Sequence, residues 1–140
     1  MYARAEGEIF ATLQQGAVYY FPHPANDEAH YFILLNKNPL KEEDLYFVCA
    51  QSNIENVKRI RKNTSPPTLV IITQGRYAEF SKDSIIDCNS IYTNSIRQLA
   101  AHLLTRSLKF KNPIQGDLLN QIISGVKMST LVVRKIQESI

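Results

Sequence analysis

The stretch HYFILLN, His30 to Asn36, together with the following LYFVCAQS, Leu45 to Ser52, decides the fold. Both runs are nearly continuous in apolar character, so each reads as a strand buried on both faces or bent by strong barrel curvature. The connector NKNPLKEED is dense in turn formers and charges, and pairing the two strands as a hairpin brings a histidine and a serine to one rim.

Working outward, AVYYFP (Ala17 to Pro22) reads as a strand ended by HPAND, where Pro22 and Pro24 offer no backbone donor. Residues 1 to 15 form a short helix or a turn leading to Gly16. After the hairpin, NIENVKRIRKN has Ile54, Val57 and Ile60 at helical spacing, with Ser52 or Asn53 as its cap. NTSPP breaks it. TLVIIT (Thr68 to Thr73), RYAEF (Arg76 to Phe80) and SIIDCN (Ser84 to Asn89) then read as three more strands separated by turns.

Beyond Asn89 the apolar period lengthens to three and four. Ile96, Leu99, Ala100, Leu103 and Leu104 describe a helix ending near Ser107, and LKFKN is a connector or an edge strand. A second helix starts near Pro113 and stops at Gly125, and STLVVRKIQESI reads as a third, capped by Ser129 with Leu131, Val132 and Ile136 inward. Short strands followed by helices predict an α+β fold: an SH3-like, strongly curved antiparallel β-barrel with C-terminal helices.

The 140 residues, 44% apolar and 21% charged, suit a single domain spanning 1–140. The N-terminal MYARAEGEIF lacks the basic start and apolar middle of a secretion signal, and no apolar run reaches membrane-spanning length, so a cytoplasmic protein without membrane contact is expected. Cys49 and Cys88 lie within apolar strands, where reduced cysteine behaves as a small hydrophobe. The absence of CxxC and HxxxH spacing argues against zinc, and no cofactor is expected.

Net charge is only +3, but Lys58, Arg59, Arg61 and Lys62 cluster, and such a patch either attracts phosphates or serves as a solvated face. Strand alternation sends Tyr19 and Phe21 to one face and Tyr20 to the other, where a ring can stack on a base. His23, between two prolines, is a loop contact for substrate or a plain surface residue. His102 falls between apolar helix neighbours and reads as structural. Asp87 is expected to pair with a basic residue that the sequence does not identify.

The order GAVYYFPHP, polar loop, HYFILLN, LYFVCAQS, a further apolar strand and SIIDCNSIYT before helical turns resembles the MazF/PemK toxin family, also called Kid or CcdB-like. The resemblance runs from about Gly16 to about Leu104. It implies an SH3-like homodimer that cuts single-stranded RNA without a metal and is blocked by a cognate antitoxin in its groove. The family pairs an arginine before the second strand with a threonine or serine ending the third. Ser52 matches the latter, whereas His30 and Tyr31 stand where the family has arginine and proline.

Metal-free RNA cleavage needs a base for the 2′-hydroxyl, an acid for the leaving 5′-oxygen and donors for the phosphorane oxygens. His30 can fill a proton-transfer role near neutral pH, and Ser52 can donate to a phosphate oxygen. The expected catalytic pair is thus His30 and Ser52, with Lys58, Arg59, Arg61, Tyr20 and His23 holding substrate. A non-catalytic SH3-like module that binds nucleic acid or protein is the alternative.

Overall fold

Helices cover both faces of the central hairpin, and this explains why its strands show no alternation. The computed structural model describes all 140 residues. Helix α1 (Tyr2–Phe10) leads into strands β1 (Val18–Pro22), β2 (Ala29–Leu34) and β3 (Leu45–Gln51). Helix α2 (Ile54–Ile60) precedes β4 (Leu69–Ile72), β5 (Ser84–Asp87) and β6 (Tyr92–Asn94). Helix α3 (Ile96–Leu104), strand β7 (Lys109–Lys111), helix α4 (Gly116–Met128) and helix α5 (Arg134–Glu138) complete the chain.

All pairings are antiparallel, in the order β4-β5-β3-β2-β1-β7, with β6 also on β3. One edge of β3 is shared: Leu45–Phe47 face β6, and Ala50 and Gln51 face β5. The terminal strands β4 and β7 do not meet, so the sheet is open and the expected closed barrel is corrected. The physical reason lies in the two cores. On one face, Ile9 and Leu99 from α1 and α3 pack with Tyr19, Phe21, Phe32, Leu34 and Phe47. On the other, Leu118, Ile122 and Val126 of α4 pack with Val18, Ile33, Val48, Val70 and Ile86. Two-sided burial comes from these helical layers, which relieves the sheet of any need to curl onto itself.

Asn36 anchors the β2–β3 connection. Fully buried, it donates to the Asp44 carbonyl (2.9 Å) and to Glu42 (2.7 Å), and it accepts from the Tyr46 amide (2.7 Å). Every buried side-chain nitrogen or oxygen has a partner, as a buried polar group must to avoid its desolvation penalty. Ser95 and Gln98 form a reciprocal capping box that starts α3.

Several sequence expectations are revised. RYAEF is a series of turns, and its aromatic residues Tyr77 and Phe80 pack into the core from a loop. LKFKN supplies the edge strand β7, while β6 is a strand that the sequence reading had missed. Gly125 lies inside α4, because a Cβ there would come 2.9 Å from both Cys88 Sγ and the Pro67 carbonyl. Close packing against Cys88 and the Pro67 carbonyl selects glycine at this point. The last helix is short, and Ser129 bonds the Leu131 amide rather than capping it. Leu131 is exposed while Val132 is buried.

Candidate functional site

The β2–β3 ladder ends at Phe32 and Cys49, after which the strands part. Residues 29–31 continue paired with β1 alone, and residues 50–51 pair with β5. A cleft of about 340 Å³ opens in this fork, lined by Tyr20, His30, Tyr31, Ala50 and Ser52 and by Glu79 to Lys82. Glu28, Ala29 and Ser84 complete its wall.

His30, the second residue of β2, is half-exposed, and its Nδ1 lies 2.9 Å from the Glu28 carbonyl. A carbonyl only accepts, so Nδ1 carries a proton, and this selects the tautomer whose Nε2 holds the lone pair of a base. Strand alternation sends the imidazole to the Phe32 face, where it meets the His23 ring at 5.2 Å. His30 therefore stands in the wall between the cleft and a second hollow that contains His23, Tyr92 and His102.

Ser52 follows β3 directly and is exposed. Asn53 caps α2 by accepting from the Asn56 amide, which leaves the Ser52 hydroxyl without an intramolecular partner. Tyr20 packs against Tyr31 with ring centroids 4.6 Å apart and ring planes tilted by 51°, whereas Tyr19 and Phe21 are buried in the opposite core. The Tyr31 hydroxyl donates to the Glu79 carbonyl, and burial with Tyr20 and Glu79 nearby holds that phenol above its ordinary value.

His23 lines the neighbouring hollow rather than the cleft. Its Nδ1 accepts from the Ala25 amide (3.0 Å), so Nε2–H donates to the Tyr92 hydroxyl (3.0 Å). Burial, reinforced by nearby His30, pushes its pKa down and favours this neutral form. His102, also depressed by burial, lies beside Ser107 and Phe21.

The basic run lies outside the cleft lining. Arg61 Nε donates to Asp87 at 2.9 Å and its NH2 group donates to Ser90 at 2.9 Å, identifying the partner expected for Asp87. Lys58 approaches Glu55, and Arg59 bonds Asn56. The cleft's own cation is Lys82, with Lys111 close by over the Tyr20 ring, 5.7 Å from its centroid, and 3.9 Å from Glu79. These cleft residues escaped the sequence reading because RYAEFSKD looked like strand and turn. Glu28 and Glu79 balance the cations, so the cleft is not strongly positive.

Both cysteines are free and buried, and desolvation pushes each thiol up to about 12. No group of three or more His, Cys, Asp or Glu side chains is placed to hold a metal, and no helix is long and apolar enough to cross a membrane.

No protein-family model matches the chain, and no curated protein does. Among solved structures, it is similar to an endoribonuclease in complex with its cognate antitoxin from mycobacterial species, with a TM-score of 0.52, 12% identity, and coverage of 81% of this chain and 90% of that one. It is also similar to an endoribonuclease from mycobacterial species, with a TM-score of 0.49, 14% identity, and coverage of 82% and 88%. At 12% identity the first likeness is one of fold alone: this chain's fold resembles that of toxin endoribonucleases of toxin–antitoxin systems.

Proposed function

We propose that this protein is a metal-independent endoribonuclease of the toxin–antitoxin type, related to MazF/PemK toxins and acting on single-stranded RNA. The observation that carries this reading is the fork between β2 and β3, where His30, Ser52 and Tyr20 line one cleft. The fold likeness supports it.

In this reading RNA crosses the β1–β2 hairpin and meets His30 in the wall between the two hollows. Nε2 of His30 takes the proton of a 2′-hydroxyl, which attacks the adjacent phosphorus and expels the 5′-oxygen, and solvent water protonates that leaving oxygen. The products are a 2′,3′-cyclic phosphate and a 5′-hydroxyl end. Ser52 donates to a non-bridging oxygen, and Lys82 supplies the charge that the sequence had led us to expect from Lys58, Arg59 and Arg61. Tyr20 offers a ring to a base, and His23 contacts the neighbouring nucleotide. A homodimer and a cognate antitoxin belong to the same proposal.

The test is incubation of purified protein with long single-stranded RNA in chelator, comparing wild type with His30→Ala and Ser52→Ala. Both side chains are solvent-accessible, so the variants should fold. Loss of the Ser52 donor should slow cleavage by about a hundredfold, or ~3 kcal/mol. Equal cutting by wild type and both variants would reject these roles.

A binding module without catalysis is the second reading, favoured by Glu28 and Glu79 in the cleft, which repel a polyanion. It predicts affinity for a protein partner at the cleft with no new RNA ends.

A further inference from the structure

The strongest charge separation lies away from the cleft. Residues 54–65 and 126–140 together hold seven Lys or Arg (Lys58, Arg59, Arg61, Lys62, Lys127, Arg134, Lys135) against Glu55 and Glu138, a net of +5. The whole chain is +3, which leaves −2 on everything else. Arg61 is consumed internally by Asp87, whereas Arg59, Lys62, Lys127 and Lys135 take part in no ion pair.

The same two segments wall a groove of about 410 Å³ in which Ile60, Met128 and Leu131 stand 62%, 48% and 55% exposed. Val133, 61% exposed, is adjacent in sequence. Wet aliphatic side chains grouped around a groove mark an interaction surface, since burying them is favourable and nothing in the chain covers them. The floor is firm. Thr68 accepts from Asn89, and Asn89 in turn accepts from Ser129, so three separate segments are tied beneath the groove.

We propose that this α2–α4 groove docks a segment of another protein that combines carboxylates with aliphatic side chains. Its apolar side chains cover Ile60, Met128 and Leu131, and its carboxylates meet Arg59, Lys62 and Lys127. A second copy of this chain is a poor occupant, because the cations that take part in no ion pair, Arg59, Lys62, Lys127 and Lys135, would meet themselves. Nucleic acid fits less well: no aromatic side chain lines the groove to stack a base, and the aliphatic surface would stay wet. None of the groove's lining residues belongs to the His30–Ser52 cleft, so docking here goes beyond the nuclease reading and stands independently of it.

The test uses fluorescein-labelled synthetic peptides of about sixteen residues, long enough for an amphipathic segment to present several anchors. One has Leu at i, i+3, i+4 and i+7 with Glu elsewhere; controls replace every Leu by Ser or every Glu by Lys, and a labelled single-stranded RNA serves as a fourth probe. Fluorescence anisotropy is read against wild type, Met128→Ser/Leu131→Ser, Lys62→Glu/Lys127→Glu and His30→Ala, with urea midpoints confirming that each folds. The Leu/Glu peptide should bind wild type at least about tenfold more tightly than either control peptide and lose about tenfold in each double variant, with no change for His30→Ala. Undetectable binding, or equal binding by wild type and Met128→Ser/Leu131→Ser, would overturn the proposal. RNA binding that is abolished by Lys62→Glu/Lys127→Glu, with no peptide affinity, would assign the face to nucleic acid instead.

Discussion

Arg61→Met should destabilise the protein by about 2 to 3 kcal/mol without the arginine ever touching a ligand. Its side chain is 23% exposed and that of Asp87 is 9% exposed, so the pair is largely withdrawn from water. Breaking a fully buried pair costs about 3 to 5 kcal/mol, and the partial exposure of Arg61 sets the value below that range. Asp87 keeps donors from the Asn89 amide (3.1 Å), the Asn89 side chain (3.0 Å) and Ser90 (3.2 Å), so what it loses is one charged hydrogen bond, worth about 1.5 to 3 kcal/mol, and its counter-charge. With a urea slope of about 2 kcal/mol/M, the midpoint should fall by about 1 M. Asp87→Asn and the double variant close a thermodynamic cycle, in which the double variant should lose less than the sum of the singles. An unchanged urea midpoint for Arg61→Met, with additive singles, would refute the structural role and return the guanidinium to substrate.

Other consequences follow from the packing and the titrations. Gly125→Ala would gain about 1 kcal/mol on an open helix, but its Cβ would meet Cys88 Sγ and the Pro67 carbonyl at 2.9 Å. The substitution should therefore lower the urea midpoint, and a raised midpoint would show that the helix shifts freely. His23 and His102 both have pKa values depressed by burial, so the unfolded chain takes up their protons first. Their contribution to stability is full above about pH 6.5 and is lost as pH falls through the depressed values. His102→Gln should flatten that acid-side decline in urea midpoints, and an identical decline in this variant would remove His102 from the account. Thiols raised to about 12 should resist disulfide reagents at pH 8 until denaturant is added, whereas immediate labelling would contradict their burial.

The apolar continuity of HYFILLN and LYFVCAQ narrowed these strands to burial on both faces or strong barrel curvature, since a flat sheet with water on one side would have left polar residues at alternate positions. The amphipathic spacing from Ser95 to Leu104 located α3, and the alternation in VYYF separated Tyr20 from its buried neighbours. Sequence alone also nominated His30 and Ser52, but their chemistry depends on things that local pattern does not encode. Where the β2–β3 ladder ends, which way the His30 ring faces and whether Asn53 rather than Ser52 caps α2 are consequences of pairing and competition for donors. The open sheet was likewise a tertiary outcome: continuous apolar strands are compatible with a barrel or with a helix-covered sheet, and only the packing of α1, α3 and α4 chose between them. The basic run shows the same division most clearly. Its composition announced a charged surface, while the fold paired Arg61 with Asp87 and left the rest outside the lining of the cleft, because charge acts through distance in space and residues remote in sequence set that distance.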